Sequence, residues 1–199
     1  MRTKAVVPLL EPEAYRDERR RGDWMQTFTG GVFWPLDPRE DDVRIEDIAH
    51  ALSLVCRFAG HCRTFYSVAE HSVRVSDACS PAARPAALLH DAAEAYVGDM
   101  VRPLKTQPDM AAYDRTERRI RSVIFARFLG SYPVNEWDEV KAADLTLLAT
   151  EARDLMVWPP PREWAALPPP QARTILPWSP DLAEEQFLVR FTALFPRQS

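Results

Sequence analysis

Apolar residues return every three to four positions along most of this chain, and this periodicity constrains the fold more than any other feature. Such spacing places the apolar side chains on one face of an α-helix. The pattern first appears at Ile45, Ile48, Ala49, Leu52 and Val55. It predicts a first helix ending near Gly60, where a left-handed C-cap is expected, and further helices at about 66–79, 80–98, 109–129, 135–156 and 181–195. We therefore predict an all-α bundle.

Two segments depart from this helical pattern, and a short surface helix is predicted before them at residues 9–21. In the sequence QTFTGGVFWPL, aromatic and β-branched residues flank Gly30 and Gly31, which predicts one small N-terminal β-hairpin. Proline triplets at 159–161 and 168–170 exclude a regular helix between Trp158 and Pro180, so we predict an extended, proline-rich strap there. The chain length fits a single domain over 1–199, with its core at 45–157 and the strap and final helix at 158–195.

Charge and composition restrict the classes of function. The chain has 29 acidic and 25 basic residues, a net charge of −4, so polymeric nucleic acid is not expected as a partner. No stretch approaches 18 apolar residues, and the charged N-terminal segment does not resemble a signal peptide, so we expect no membrane partner. The three cysteines contain no C-x-x-C pair, which argues against a disulfide framework and favours a cytoplasmic protein.

The residues that point to chemistry are two of the four histidines and two aspartates. His71 lies in AEHSV, and His90 precedes Asp91 in LLHDAAEAYVGD. Asp144 lies in the apolar segment VKAADLTLL, where a buried carboxylate is costly without a partner. Two imidazoles and two carboxylates suit a divalent metal with positions left for water. Each residue alone is more often structural or exposed, so the hypothesis depends on their combination.

The order of these residues resembles the H…HD…D signature of the HD-domain phosphohydrolases. It is most similar to the small nucleotidase branch, in SVAEHS at 67–72, LLHDAAEAYVGD at 88–99 and VKAAD at 140–144. Pro103 and Lys105 follow the Gly-Asp pair as they do in that branch. The resemblance covers about residues 45–157 and implies a compact HD-domain helical bundle, in agreement with the helical periodicity. The similar enzymes are 5'-deoxynucleotidases and phage-type dATP triphosphohydrolases.

The resemblance also implies a metal centre and the residues that hold it. The metal ligands would be His71, His90, Asp91 and Asp144. The cofactor would be one divalent transition metal (Mn, Co, Fe, Ni or Zn), and additional Mg or Mn could accompany the substrate. Adjacent side chains on a helix diverge by roughly 100°, so His90 and Asp91 reach one ion only where the helix bends or lies tangentially to it.

Two further carboxylates are candidate catalytic residues by the same resemblance. Glu94, three residues after Asp91 and on the same helical face, would orient or deprotonate the attacking water. The alternative for Glu94 is a solvated helix residue. Asp99 would contact the sugar or assist the water, and the alternative is a simple N-cap for the next segment.

Four basic residues are candidates for substrate binding. Arg57 occupies the place of an arginine that contacts the phosphate in the similar nucleotidases, and its planar fork of donors suits that role. The chain departs from the family at Phe58, where tryptophan is common, and in the segment GHCR at 60–63. His61 could contact substrate phosphates, bind a second ion or simply pack, and Arg63 and Lys105 could add positive charge around the pocket or be ordinary surface residues.

The function implied is metal-dependent hydrolysis at the α-phosphate of (deoxy)nucleotides, by a 5'-nucleotidase or a deoxynucleoside triphosphohydrolase. No histidine follows His90, which argues against the binuclear members of the superfamily. Alarmone hydrolases usually carry a Glu-Asp pair where this chain has Glu94 and Ala95. The alternative is a non-catalytic HD module that binds a nucleotide or a partner. A small-molecule nucleotide is the expected ligand, and homo-oligomerisation stays open.

Overall fold

A computed structural model describes residues 19–157 and 167–195 of the chain. Within those ranges it contains a two-stranded antiparallel sheet and eight α-helices. Their bounds are β1 Met25–Gln26, β2 Val32–Phe33, α1 Ile45–Leu54, α2 Val68–Ala78, α3 Arg84–Leu88, α4 Glu94–Val97, α5 Arg102–Lys105, α6 Ala111–Leu129, α7 Trp137–Leu155 and α8 Pro180–Leu194. The predicted all-α class with one small N-terminal hairpin is confirmed. The helix predicted at 9–21 lies almost wholly outside the described residues.

The hairpin forms where the glycine pair predicted it. Met25 pairs with Phe33 and Gln26 with Val32, in antiparallel register. Gly30 has a φ of 82°, a left-handed conformation that glycine adopts without strain. Asp47 of α1 accepts hydrogen bonds from the amide of Thr29 (2.7 Å) and from its hydroxyl (3.1 Å), which fixes the turn of the hairpin on α1.

Two clusters of buried apolar side chains make the core, and α2 contributes to both. The larger cluster joins β2, α1, α2, α6, α8 and the chain around α3 and α4. Its largest fully buried side chains are Phe33, Ile48, Leu52, Leu88, Leu89, Ile120, Ile124, Phe125 and Phe187. The smaller cluster joins α2, α3, α7 and the chain before α8, and includes Tyr66, Val75, Ala87, Leu147, Leu155 and Ile175. Helix α2 is therefore central, and most of its side chains are buried, including His71.

The first helix ends earlier than predicted. Its last residue is Leu54, and Val55 is the C-cap, so Gly60 does not cap it. The carbonyl of Val55 accepts from the amide of Val68 (3.0 Å), and the amide of Arg57 donates to Tyr66 (2.9 Å). Because these backbone groups pair with the chain entering α2, they are not available to continue the helix.

The single helix predicted over 80–98 is wrong, because the chain leaves helical geometry between Leu88 and Glu94. The amides of Leu89 and Ala92 bond three residues back, to Ala86 (3.2 Å) and Leu89 (3.1 Å), as in tight turns. The ring Nδ1 of His90 donates to the carbonyl of Ala87 (2.7 Å), the acceptor that an α-helix would use for the amide of Asp91. The side chain of His90 thus replaces a helical bond at the break.

The proline-rich segment follows α7 and α2 before it enters α8. Residues 167–179 form no helix or strand, in agreement with the strap prediction, while 158–166 lie outside the described residues. The amides of Gln171, Ile175 and Trp178 donate to Thr150 Oγ1 (2.9 Å), Asp154 Oδ2 (2.8 Å) and Glu70 Oε2 (2.8 Å), respectively. Helix α8 matches its predicted range. None of the described helices combines the length and apolar character needed to span a membrane.

Candidate metal centre

The four residues predicted as metal ligands come from three parts of the fold and gather around His71 Nε2. His71 lies on α2, His90 and Asp91 lie in the break between α3 and α4, and Asp144 lies on α7. The Nε2 atom of His71 is 3.3 Å from His90 Nε2, 3.2 Å from Asp144 Oδ1 and 3.5 Å from Asp91 Oδ2. His90 Nε2 is 3.2 Å from Asp91 Oδ2. The break in the predicted helix lets both members of the doublet face the same point.

These distances fit a single ion. An imidazole nitrogen or a carboxylate oxygen lies about 2.1 Å from a transition metal, so neighbouring ligand atoms at octahedral or tetrahedral angles are about 3.0 to 3.4 Å apart. The four observed separations lie between 3.2 and 3.5 Å. His71, His90 and Asp144 therefore have ligand atoms close enough to share one divalent ion, and Asp91 Oδ2 lies within 3.5 Å of both imidazoles.

The hydrogen bond at Nδ1 of each imidazole determines which tautomer the ring adopts, and so whether Nε2 of the neutral ring carries a lone pair. His90 Nδ1 faces a backbone carbonyl, which can only accept, and His71 Nδ1 is 2.7 Å from Glu151 Oε1. Both Nδ1 atoms are therefore donors, so each ring in its neutral form carries a lone pair on Nε2, and the two Nε2 atoms are 3.3 Å apart. Two such lone pairs repel each other unless a proton or a metal ion lies between them. Metal-bound histidines in proteins are held in this way by a carbonyl or a carboxylate.

Glu151 is part of the site and was missed by the sequence analysis. It is fully buried on α7, and its Oε2 accepts from Nε (3.2 Å) and Nη2 (3.1 Å) of Arg57 while its Oε1 binds His71. Burial opposes the charge, but Arg57 and His71 outweigh it and lower the pKa of Glu151. Glu151 follows Asp144 by seven residues, two helical turns on the same face, and this spacing was the available signal.

The charges around the site favour a cation at its centre. Burial opposes ionisation of Asp91 and Asp144, yet His90 outweighs it at Asp91 and His71 at Asp144, so both carboxyl pKa values are lowered. For His71, burial and Arg57 lower the pKa, but Glu151 and Asp144 raise it to about 9. The cluster therefore stabilises positive charge at Nε2, whether a proton or a metal ion supplies it.

Glu94 and Asp99 lie beside this centre. Glu94 begins α4 and is buried, and its Oε2 has no hydrogen-bond partner among the described residues, so it is not a solvated helix residue. Burial, then Asp91 and Asp99, raise its pKa well above the usual range. Asp99 is partly buried, and burial and Asp91 raise its pKa although Arg57 opposes them. Gly98 ends α4 at a φ of 77°, where a side chain would be strained, and so directs the chain to Asp99.

Arg57 lies at the edge of the centre on a strained turn. Its Nη1 is 3.6 Å from Asp91 Oδ2, and its side chain is only 12% exposed. The next two residues, Phe58 and Ala59, have φ values of 56° and 50°, which non-glycine residues rarely adopt. Backbone strain of this kind persists only where the surrounding structure imposes it. The turn holds Arg57 between Glu151 and the proposed ligands.

The other three basic candidates differ in their surroundings. Lys105 is half-buried and pairs with Glu117 Oε2 at 2.5 Å, and its charge offsets a part of the rise in the pKa of Glu94 and Asp99 that burial and the neighbouring carboxylates cause. His61 and Arg63 are exposed, and their amides bond the carbonyls of Phe58 (3.0 Å) and Leu155 (2.8 Å). Within the described ranges, neither side chain contacts the four proposed ligands. Phosphate binding by these residues stays a prediction.

The chain is similar to two bacterial proteins. It is 40% identical over 177 residues to the uncharacterized protein YfdR of Escherichia coli, a match that covers 86% of this chain and 95% of that protein. It is 35% identical over 143 residues to an uncharacterized protein of Rhodobacter capsulatus, covering 66% of this chain and 72% of that protein. No protein-family model matches the chain. Neither relative's name states an activity.

Proposed function

We propose that this chain, which belongs to the same family as Escherichia coli YfdR, is an HD-type metal-dependent phosphohydrolase that cleaves at the α-phosphate of (deoxy)nucleotides. One observation carries the proposal: His71 Nε2 and His90 Nε2 face each other at 3.3 Å, with both Nδ1 atoms bonded outward and two carboxylates beside them. A divalent ion held by these four side chains supplies Lewis acidity towards phosphate and water.

Glu94 supports a hydrolytic rather than a purely binding role. Its buried Oε2 lacks a partner among the described residues, and its raised pKa brings the carboxyl closer to the range in which a general base works near neutral pH. A buried polar atom left without a partner is costly in a module that only binds. In the proposed reaction Glu94 accepts the proton of the attacking water, and Asp99 contacts the sugar or assists that transfer.

Arg57 is the proposed phosphate ligand. Glu151 holds its Nε and Nη2 atoms, and Nη1 points towards Asp91 at 3.6 Å. A guanidinium held along one edge keeps donors on the other edge for an anion, and its planar fork suits phosphate oxygens. The buried carboxylate of Glu151 therefore orients a cation towards the place where the α-phosphate would lie.

The number of phosphates on the substrate depends on the cations beyond Arg57. A pocket that places the α-phosphate at the centre serves a nucleoside monophosphate and a deoxynucleoside triphosphate equally. Lys105 is engaged by Glu117, while His61 and Arg63 are exposed near the Arg57 turn. Both substrates stay within the proposal, with a small-molecule nucleotide as the ligand. A cytoplasmic location is also proposed, supported by three free cysteines.

The test is hydrolysis of a nucleotide panel by protein stripped of metal and then supplied with manganese or cobalt. The panel contains ribo- and deoxynucleotides with one, two and three phosphates, and chromatography separates released phosphate from triphosphate. Asp91→Ala should be inactive, and Asp138→Ala is the matched control on an exposed side chain of α7. If the protein turns over only non-nucleotide esters, and no nucleotide competes, the substrate assignment is wrong. If it binds no metal, the metal centre is wrong.

A further inference from the structure

Two of the three cysteines face each other across the turn that carries Arg57. The Sγ atoms of Cys56 and Cys62 are 3.6 Å apart, and both residues are partly exposed. Cys79 is buried on another part of the fold, at the end of α2. The sequence predicted no disulfide framework, because the three cysteines contain no C-x-x-C pair. The turn nevertheless brings two of the sulfur atoms together.

The backbone of the turn explains this proximity. Cys56 pairs with Ser67 in an antiparallel bridge, so the chain leaving α1 lies beside the chain entering α2. Phe58, Ala59 and Gly60 all have positive φ, and this left-handed run reverses the chain within a few residues. The thiol of Cys62 also lies 3.8 Å from the carbonyl of Arg57, as a weak donor. Both sulfur atoms therefore stand at the base of the Arg57 turn.

We propose that Cys56 and Cys62 are an oxidisable dithiol, at which a low-molecular-weight disulfide closes an intramolecular disulfide across the Arg57 turn. In the first step, a thiolate of the protein attacks the small disulfide, forms a mixed disulfide and releases one small thiol. In the second step, the other cysteine attacks the protein sulfur and releases the second small thiol. The two cysteines lose two electrons and two protons in all, and the small disulfide is reduced to two thiols.

The two sulfur atoms need only a small movement to form a bond. Burial and the hydrogen bond with Cys56 raise the pKa of Cys62 to about 11, so Cys62 keeps its proton near neutral pH. A raised pKa disfavours a first attack by Cys62, and the glutathione adducts formed by the Cys56→Ser and Cys62→Ser variants show which thiol attacks first. A disulfide needs a sulfur separation of about 2.05 Å, so the two atoms must approach by only about 1.5 Å from the observed 3.6 Å.

Metal binding does not explain the cysteine pair. In the described part of the chain, the group of His, Cys, Asp and Glu atoms close enough to share an ion is His71, His90 and Asp144. His61, next to Cys62 in sequence, is not part of such a group. Thiol oxidation is therefore the chemistry that this pair supports.

The disulfide would act on Arg57, because it closes a ring of residues 56–62 that contains this arginine. The bridge removes the contact between the thiol of Cys62 and the carbonyl of Arg57, and it draws Cys56 towards Cys62. Arg57 then shifts relative to Glu151 and Asp91, and we expect the KM for nucleotide to rise. This consequence rests on the proposed function, whereas formation of the disulfide does not.

The experiment equilibrates the full chain with mixtures of reduced and oxidised glutathione, then measures intact mass, free thiols and disulfide-linked peptides. Wild type should lose two of its three thiols and two hydrogen atoms of mass, carry no glutathione, and recover fully with dithiothreitol. Cys79→Ala should still form the bridge. Cys56→Ser and Cys62→Ser should not, and Cys62→Ser should accumulate a glutathione adduct on Cys56.

Three results would overturn the dithiol: three free thiols in the most oxidising mixture, a persistent adduct on wild type, or a bridge to Cys79. Peptide mapping of wild type decides this without any variant. KM is then measured for reduced and oxidised wild type, with oxidised wild type that has been reduced again by dithiothreitol as control. An unchanged KM in the bridged protein overturns the coupling to Arg57. If the disulfide forms but the protein turns over no nucleotide, the proposed function is contradicted and the dithiol proposal is still supported.

Discussion

Glu151 accepts a 2.7 Å hydrogen bond from Nδ1 of His71, and both side chains are fully buried. The same carboxylate holds Arg57 through its other oxygen. One residue therefore determines the tautomer of a proposed metal ligand and the orientation of the proposed phosphate ligand. The contributions of the three residues are therefore expected to be non-additive, because removing any one of them leaves a buried partner without its counter-charge.

We expect Glu151→Gln to weaken metal binding by about 10- to 100-fold, the usual effect of losing a partner behind a histidine ligand. An amide keeps the size of the side chain but removes the charge that stabilises His71 and Arg57. Glu151→Ala should also unfold more easily, by about 3–5 kcal/mol, since it leaves Arg57 buried without its carboxylate. Calorimetric titration with manganese and chemical denaturation measure the two effects. Wild-type metal affinity in Glu151→Gln would contradict the proposed role.

Asp91→Ala should abolish both bound metal and activity. Asp91 Oδ2 lies 3.2 Å from His90 Nε2 and 3.5 Å from His71 Nε2, so the change removes a charged ligand from the centre. Elemental analysis of the purified variant measures the metal directly, and Asp138→Ala, with an exposed side chain, should keep it. Stoichiometric metal in Asp91→Ala would show that Asp91 is not a metal ligand.

Glu94→Ala should lower turnover by about 10²-fold or more, the typical contribution of a general acid or base. Its metal content should stay intact, because Glu94 is not one of the four proposed ligands. Steady-state kinetics and elemental analysis on the same preparation separate the two effects. Unchanged turnover would mean that the buried, unpartnered carboxyl of Glu94 has no part in the reaction.

Arg57→Ala should raise KM and lower kcat together, if the guanidinium follows the phosphate into the transition state. The variant also leaves Glu151 without one of its two partners, so its stability must be measured in parallel. Arg57→Lys keeps the charge but loses the planar fork, and we expect it to recover only part of the loss. Steady-state kinetics on both variants test whether the planar fork is needed. Wild-type activity in Arg57→Lys would indicate that the charge alone is sufficient.

Metal should stabilise the folded chain. A ligand that binds only the native state at 100 times its dissociation constant adds about 2.7 kcal/mol to the free energy of unfolding. The ligands come from α2, α7 and the break between α3 and α4, so an ion held by them joins segments that are distant in sequence. Thermal unfolding with manganese and with a chelator measures the shift in Tm. The Asp91→Ala variant should show no shift.

The helices that were predicted well are those whose stability depends on one apolar face. Helices α2, α6, α7 and α8 lie within a few residues of their predicted ranges, because their apolar spacing reports the face that packs on the core. The segment 80–98 was predicted wrongly for a specific reason. Its apolar run is continuous, but His90 takes the carbonyl of Ala87 and interrupts the helix. Periodicity of apolar residues does not report such a side-chain bond.

The residues of the candidate site were likewise predicted only in part from the sequence. His71, His90, Asp91 and Asp144 were identified from the order and context of their motifs, and His71 Nε2 lies 3.2 to 3.5 Å from an atom of each of the other three. Glu151 was missed, since a glutamate in a helix is most often exposed and only its seven-residue spacing from Asp144 distinguished it.

The sequence by itself determined the helical class, the hairpin at the glycine pair and the four residues that carry the metal hypothesis. These properties are local, since propensity, spacing and short motifs are all contained within single segments. The tertiary structure alone decided that the break before α4 directs His90 and Asp91 to one point, that Glu151 joins His71 to Arg57, and that Cys56 meets Cys62. Each of these depends on packing or on a turn that brings separated residues together, and a one-dimensional pattern does not contain those distances.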